Sequence, residues 1–130
     1  FNVIAAIGLF VFSTGLIIET AADLQKFRFS NKEENKGRFI QEGLWRYSRH
    51  PNYFGEIMIW IGVFIFVTPS LSLIQALIAL ASPLFISFIL IFVTGLPKLE
   101  KYADEKWGQE ADYQEYKRRT SVLIILPRKK

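Results

Sequence analysis

The chain of 130 residues contains no cysteine and a single histidine, His50. The absence of cysteine excludes a disulfide scaffold, a thiolate metal ligand and a cysteine nucleophile. One histidine excludes metal sites built from several imidazoles. A site of carboxylates alone, from Glu19, Asp23, Glu100 and Asp104, is conceivable but has no support in the sequence, and we expect no metal centre. The 8 glycines form neither a GxGxxG fingerprint nor a Walker A loop, so a nucleotide would bind without those phosphate-cradling turns.

Basic residues are missing from two long stretches, 1–25 and 50–97. All 16 lysines and arginines fall into two blocks, seven in residues 26–49 and nine in residues 98–130. The stretches without them are dominated by large aliphatic residues and phenylalanine, although 22% of the whole chain is charged. Such segregation is typical of a protein embedded in a lipid bilayer. The net charge of +4 therefore does not indicate a nucleic-acid partner, and we expect none, because the basic blocks are mixed in sign and flank apolar spans.

The hydropathy pattern predicts an all-α integral membrane bundle with about three transmembrane helices and a C-terminal cytoplasmic helix. The first apolar run, Phe1–Ile18, would reach roughly 27 Å as a helix, close to the thickness of the hydrocarbon layer. Pro51 suits the first turn of a helix, Pro83 should kink or restart the third span, and Gly108 should break the tail helix. Because the sequence starts in apolar material without methionine, we expect the C-terminal part of a larger protein. The predicted spans cover about residues 1–26, 53–67 and 71–97 of a single domain, residues 1–130.

The distribution of lysine and arginine also predicts the orientation. The positive-inside rule assigns both basic segments, 27–52 and 98–130, to the cytoplasm. The turn at Thr68–Ser70 has no basic residue, as expected on the opposite side. We therefore predict location in a membrane of the bacterial inner-membrane or endoplasmic-reticulum type. The run VLIILP near the C-terminus is too short to span, and should pack back on the domain or lie in the interface.

The densest group of polar and aromatic residues is GLWRYSRHPNYFGE, residues 43–56. Arg46 and Arg49 offer guanidinium forks for a phosphate or a carboxylate. The single histidine lies beside them, and histidine is the side chain whose charge changes most readily near neutral pH. Trp45 and Tyr53 offer flat faces for a nucleobase or a nicotinamide ring. This combination at the start of a membrane span predicts a cofactor site.

Glu56 is the most informative single residue, because IMIWIGVFIFV follows it without a charge. Ionisable groups inside a membrane are costly and mark functional sites. Asn52, four residues earlier, shares its helix face. The alternative is that Glu56 pairs with Arg46, Arg49 or Lys26 and only anchors the loop.

Two polar stripes, each on one face of a helix, predict the walls of a polar cavity at the membrane surface. The alternative is a set of side chains that extend from the membrane to water. The stripes consist of Glu19, Asp23 and Lys26 on the first span and Glu100, Asp104 and Trp107 on the tail helix.

The run GLWRYSRHPNYFGE, with ADLQKFRF and NKGRF before it and LPKLEKYADEKWG and YQEYKRRTS after it, resembles a known membrane family. This is the steroid 5-alpha-reductase C-terminal-like family, catalogued as a bacterial domain of unknown function, DUF1295. The chain is also similar to sterol C14 and C7 reductases and, more distantly, to isoprenylcysteine carboxyl methyltransferases. The resemblance extends from about Thr20 to Pro127. It is specific for the superfamily and much less specific for one reaction.

In the reductases, the resemblance implies an NADPH pocket that is enclosed by helices and open to the cytosol. Arg28 is a looser match because its spacing is shifted, and Glu100 and Asp104 are alternatives, as are Tyr116 and Tyr113. Arg46 is added because it can share cofactor phosphates with Arg49. The expected cofactor-binding residues are Asp23, Lys26, Arg28, Trp45, Arg46, Arg49, His50, Asn52, Tyr53, Glu56, Glu100, Asp104, Trp107 and Tyr116.

The predicted function is NADPH-dependent reduction of a carbon–carbon double bond in a lipophilic, steroid-like or enone-like substrate. The resemblance implies that the substrate-side catalytic residues lie in an N-terminal half upstream of Phe1, so none is assigned here. In the methyltransferases the same framework binds S-adenosylmethionine, and such an activity on isoprenylcysteine or a phospholipid is the alternative. Asn52 and Glu56 favour the reductase. A non-catalytic membrane or scaffold role is a third possibility, and the sequence leaves the oligomeric state open.

Overall fold

The computed structural model describes residues 2–130, so Phe1 of the first predicted span lies outside the described residues. Helices make up 74% of the chain, and residues 2–130 contain no strand beyond one isolated bridge between Ser48 and Ser121. The prediction of an all-α fold is confirmed. The α-helices are α1 (Val3–Ser30), α2 (Pro51–Val67), α3 (Leu73–Ala79), α4 (Ala81–Phe88), α5 (Leu96–Trp107) and α6 (Ala111–Arg119). Shorter helical turns lie at Glu33–Asn35, Gly43–Arg46, Thr68–Ser70 and Ile89–Val93.

Three stretches are long and apolar enough to cross a membrane, which marks the chain as an integral membrane protein. They are Val3–Ser30, Pro51–Ser70 and Leu73–Trp107. Large apolar side chains project outward from them, such as Phe10, which is 72% exposed, and Ile74, which is 71% exposed. A bilayer would remove these apolar side chains from contact with water, which is favourable, whereas in an aqueous setting they would stay exposed to it.

The first span runs beyond its predicted end near residue 26. α1 continues to Ser30, because no glycine or proline interrupts residues 24–30 and Arg28 lies in the last turn, where a cation favours the helix dipole. The last helical hydrogen bond of α1 runs from the Asn31 N–H to the Phe27 carbonyl, at 3.1 Å. The connector therefore begins at residue 31 rather than at residue 27.

The third span is built from consecutive pieces rather than one straight helix. Ser72 and Gln75 form a reciprocal capping box at its start. The helix breaks at Leu80, where Pro83 has no N–H for the carbonyl of Ala79. A second irregular turn at Ile89–Val93 precedes α5. The restart expected at Pro83 is confirmed, as is the end of the tail helix at Gly108.

Helices α1 and α2 pack closely through glycines spaced seven residues apart. Gly15 lies against Gly55, and a Cβ at Gly15 would come within 2.6 Å of the Gly55 carbonyl oxygen. Gly8 and Gly62 make the same contact one heptad away. Small residues allow helix backbones to approach in a membrane. This packing brings the polar end of α1 against the first turns of α2, and Glu19 lies directly against Gly55.

The C-terminal segment packs back on the domain, which was one of the two expectations for VLIILP. The Ser48 hydroxyl donates to the Leu123 carbonyl at 2.6 Å, and the Leu126 N–H donates to the Tyr47 carbonyl at 3.3 Å. The segment therefore runs beside the residues that lead into α2.

Candidate functional site

A cavity of about 450 Å³ lies where the end of α1, the 31–50 connector and helices α5 and α6 meet. Its size is within the range of small-molecule sites, which are usually 300–1,000 Å³. It opens at the end of the bundle that carries both basic blocks. The polar residues on its wall are Lys26, Ser30, Asn35, Lys36, Arg38, Arg49, His50, Glu100 and Lys106. Its aromatic residues are Phe29, Phe39, Trp45, Tyr102, Trp107, Tyr113 and Tyr116.

The charged floor of the cavity consists of Glu100 between Arg49 and His50. One carboxylate oxygen, Oε1, accepts from Arg49 Nη1, and the other, Oε2, lies 2.9 Å from His50 Nε2. The side chains of Arg49 and His50 are only 13% and 8% exposed. Arg49 Nε is buried and has no hydrogen-bond partner within residues 2–130. The floor therefore retains one unused donor, Arg49 Nε, beside the Glu100 carboxylate, which already accepts from Arg49 Nη1 and contacts His50.

The backbone around His50 is fixed from the C-terminal segment. Arg49 N–H donates to the Ser121 carbonyl at 2.8 Å, and His50 N–H donates to the Ser48 hydroxyl at 3.1 Å. Ser48 is fully buried, and Pro51 begins α2 immediately afterwards. Because proline sets the direction of the helix start, Arg49 and His50 are held on the cavity side of that start.

The aromatic wall is held by hydrogen bonds from its polar edges. The Tyr116 hydroxyl donates to the Trp45 carbonyl at 2.6 Å, and the Trp45 indole N–H donates to the Ala22 carbonyl at 3.0 Å. Phe39 lies edge-on to Tyr113 with ring centroids 5.1 Å apart. Burial raises the pKa of both Tyr113 and Tyr116 above the ordinary value, so both phenols stay neutral. These contacts hold the aromatic part of the wall in place, and its phenols add no charge.

Two lysines lie over the indole rings that face the cavity. Lys26 Nζ is 4.9 Å from the centre of the Trp45 ring, and Lys106 Nζ is 5.0 Å from that of Trp107. The Trp107 indole N–H donates to the Gly37 carbonyl at 2.9 Å, which ties α5 to the connector. Positive charge and flat rings therefore alternate around the opening.

A family described as a protein of unknown function, DUF1295, matches residues 1–120. The chain belongs to the DUF1295 family. No curated protein and no solved structure matches it.

Half of the predicted site residues of this DUF1295 protein meet at the cavity. The structure separates Glu100, which lines the cavity, from Asp104, which accepts from Lys117 at 2.8 Å. Tyr113 and Tyr116 both line the cavity, so this pair is not separated. The cavity holds Lys26, Trp45, Arg49, His50, Glu100, Trp107 and Tyr116. Outside its wall lie Asp23, Arg28, Arg46, Asn52, Tyr53, Glu56 and Asp104.

Some of the residues outside the wall form a second polar group where α1 crosses α2. Asn52 Nδ2 donates to Asp23 Oδ1 at 3.2 Å, and the backbone of Glu19 lies against Gly55, the residue before Glu56. Within the described part of the chain Glu56 has no salt-bridge partner. The expected alternative, an anchoring pair with Lys26, Arg46 or Arg49, is therefore not formed.

Tyr53 connects the charged floor of the cavity to the third span of the DUF1295 protein. Its ring stacks on His50 with centroids 6.0 Å apart, and it also fills the space beside Gly95, where the third span bends. Sequence reasoning did not single out Lys36, Arg38, Tyr102 or Lys106 as site residues. Lys106 had a usable signal, since it directly precedes Trp107 in the tail stripe, whereas the connector residues had none.

Proposed function

We propose that this chain provides the NADPH pocket of a membrane-embedded reductase for a lipophilic, enone-like substrate. The observation that carries the proposal is the charge on the cavity wall. Five basic side chains and one carboxylate, Glu100, line it. Such a surplus of positive charge suits a ligand with several phosphates. The five basic residues are Lys26, Lys36, Arg38, Arg49 and Lys106.

The residues present fit a phosphate-bearing dinucleotide. The buried, unpartnered Arg49 Nε is a donor that an anionic oxygen would satisfy, and leaving it unpaired costs about 1–3 kcal/mol. Trp107 is half-buried and would offer an indole face beside Lys106 to an aromatic ring, whereas Trp45 is only 3% exposed and supports the wall from behind. NADPH would supply a hydride to the double bond of the substrate.

The chain's own residues would position and shield that cofactor. Arg49 and Lys26 would hold phosphate oxygens. Glu100 keeps the Arg49 guanidinium and the His50 ring in place. Burial raises the pKa of Tyr113 and Tyr116, so their neutral phenols add no negative charge that would repel the phosphates. Phe39 packs against this wall and excludes water from it. We also propose that the cavity faces the cytoplasm, since both basic blocks lie at its end of the bundle.

Binding of S-adenosylmethionine is the second candidate, and the seven aromatic rings on the wall favour it. Aromatic faces attract a sulfonium cation through their quadrupole. However, the same wall carries five basic groups that would repel a sulfonium ion. Charge therefore favours the reductase cofactor over the methyl donor.

The test is equilibrium binding of NADPH and of S-adenosylmethionine to the purified full chain in nanodiscs, followed by tryptophan fluorescence. We expect NADPH to bind and Lys106→Gln and Arg49→Gln each to weaken it about tenfold. Lys106→Gln leaves the Arg49–Glu100 floor intact, and Lys101→Gln, an exposed lysine outside the cavity, is the charge-matched control. Tight binding of S-adenosylmethionine without NADPH binding would overturn the proposal, as would equal losses in the control.

A further inference from the structure

The segment Ser121–Lys130 has a feature that the proposed cofactor pocket does not use. Its side chains alternate between exposed and half-buried from Ser121 to Leu126. Val122, Ile124 and Leu126 point outward and are 38%, 51% and 48% exposed. The backbone bends at residues 122–124, and the three side chains are grouped by their shared exposure. The segment therefore presents a row of three aliphatic side chains to its surroundings.

This aliphatic row lies next to the start of a membrane span. The segment is hydrogen-bonded to Tyr47, Ser48 and Arg49, and α2 begins at Pro51. Along the axis of the bundle, the segment therefore lies at the boundary between the apolar span and the basic connector. At such a boundary, aliphatic side chains insert into the outer part of the acyl layer.

A cluster of like charges adjoins the same segment. Arg119 is hydrogen-bonded to Lys129 in both directions, at 2.8 and 2.9 Å, which places it beside Arg128. Arg46 and Arg119 both act on the charge of Arg128, as does the carboxylate of Glu115. None of the three forms a salt bridge within residues 2–130, whereas the neighbouring Arg118 is paired with Glu115 at 2.6 Å. Arg128 Nε is buried and lacks a hydrogen-bond partner in that range. Burial and the two neighbouring arginines lower the pKa of Arg128. An anion beside this group would relieve the repulsion and satisfy the donor.

We propose that this surface binds the headgroup of an anionic phospholipid. Its phosphate would lie among Arg46, Arg119 and Arg128, and its acyl chains would cover Val122, Ile124 and Leu126. The pairing of a basic cluster with an aliphatic row matches the two parts of a phospholipid, whereas a soluble anion would use only the first part. The lipid would thereby hold the segment that fixes Ser48 and Arg49.

The test is titration of the detergent-purified full chain with short-chain phosphatidylglycerol, short-chain phosphatidylcholine and inorganic phosphate, with thermal unfolding and native mass spectrometry as readouts. We expect phosphatidylglycerol to bind and to raise the unfolding temperature more than the other two. Each of Arg119→Gln and Arg128→Gln should weaken this binding about fivefold. Lys101→Gln removes the same charge elsewhere and should leave it unchanged.

A second variant separates the lipid from a simple anion. Ile124→Ser removes part of the aliphatic row without changing charge, and should weaken phosphatidylglycerol binding while leaving any phosphate binding unaltered. Equal binding of inorganic phosphate and phosphatidylglycerol would overturn the proposal, as would equal binding of the two lipids. The Lys106→Gln variant should bind phosphatidylglycerol normally, so failure of the cofactor pocket and failure of this surface are distinguishable.

Discussion

Glu100 is the residue on which the charged floor of the cavity depends. It accepts from Arg49 and His50, and its side chain is 21% exposed. Removing one partner from a largely buried ion pair leaves the other charge without compensation. Glu100 thus combines a structural and an electrostatic role, which distinguishes it from Asp104 one helical turn later.

The substitution Glu100→Gln should lower the free energy of unfolding by about 2–4 kcal/mol, because it leaves the Arg49 guanidinium buried beside His50 without a counter-charge. Asp104→Asn is the matched control. It breaks the more exposed pair with Lys117 and should cost less than about 1 kcal/mol. Thermal unfolding of both variants in nanodiscs measures the difference. Equal losses would contradict the assignment of Glu100 rather than Asp104 to the floor.

Tyr116 should make the protein sensitive to alkaline pH. Burial raises its pKa in the folded state, so the unfolded chain loses the phenolic proton first. The contribution of the Tyr116 phenol to the free energy of unfolding is therefore fully present below about pH 10 and is lost as the pH rises further. Tyr116→Phe should reduce this alkaline loss, while costing about 1–2 kcal/mol at neutral pH because the Trp45 carbonyl loses its donor. Tyr102→Phe, at a 55% exposed position, is the control, and an identical alkaline profile for Tyr116→Phe and the unmodified chain would contradict the argument.

For individual residues, the sequence indicates which residue types form the site but not which side of the α2 start each side chain faces. Residues 43–56 read as one cluster, yet the start of α2 divides it. Arg49 and His50 face the cavity, whereas Asn52 and Glu56 lie beside α1. Proximity in sequence could not reveal this division, because it depends on the direction in which Pro51 starts the helix.

Among the elements, the antiparallel pair α1 and α2 is the frame of the molecule. Its glycines at positions 8 and 15 face those at positions 62 and 55. The seven-residue spacing continues to Ala22, which is fully buried beneath Trp45. The same stripe that joins the two spans therefore also supports the wall of the cavity.

Gly15→Leu should prevent this packing, because the backbone atoms of Gly55 and Ile59 lie where the new side chain would begin. We expect a loss of at least about 3 kcal/mol, since backbone cannot move aside as a side chain can. Ala6→Leu adds a similar volume at an exposed position of the same helix and should change stability little. Thermal unfolding in detergent compares the two, and similar unfolding temperatures would argue against the glycine contact.

The elements themselves were largely predictable from sequence. Apolar runs without charge predict the spans. Pro51, Pro83 and Gly108 predict where helices begin, break or end, because these residues act through local backbone chemistry. The glycine stripe was present in the sequence but requires knowledge that α1 pairs with α2. The continuation of α1 to Ser30 was missed because charge, rather than helix-breaking chemistry, set the predicted end.

For the whole molecule, polarity changes along the bundle axis. One end carries the cavity, the basic connector and the C-terminal segment, and the other carries the uncharged turn Thr68–Ser70. The sides are apolar and outward-facing, as Phe10 and Ile74 illustrate. A ligand with phosphates would approach from the first end, whereas a lipophilic substrate would approach through the sides.

The proposed orientation can be tested by single-cysteine labelling, because the chain contains no cysteine of its own. Lys36→Cys places a thiol on the basic connector, where the side chain is 69% exposed, and Ser70→Cys places one at the opposite turn. If the basic blocks are cytoplasmic, a membrane-impermeant maleimide added to intact cells should label Ser70→Cys alone. Lys36→Cys should react only after the membrane is opened, and the unmodified chain gives the background. Labelling of Lys36→Cys in intact cells would reverse the orientation and place the cavity away from cytosolic NADPH, so the same measurement also bears on the proposed cofactor.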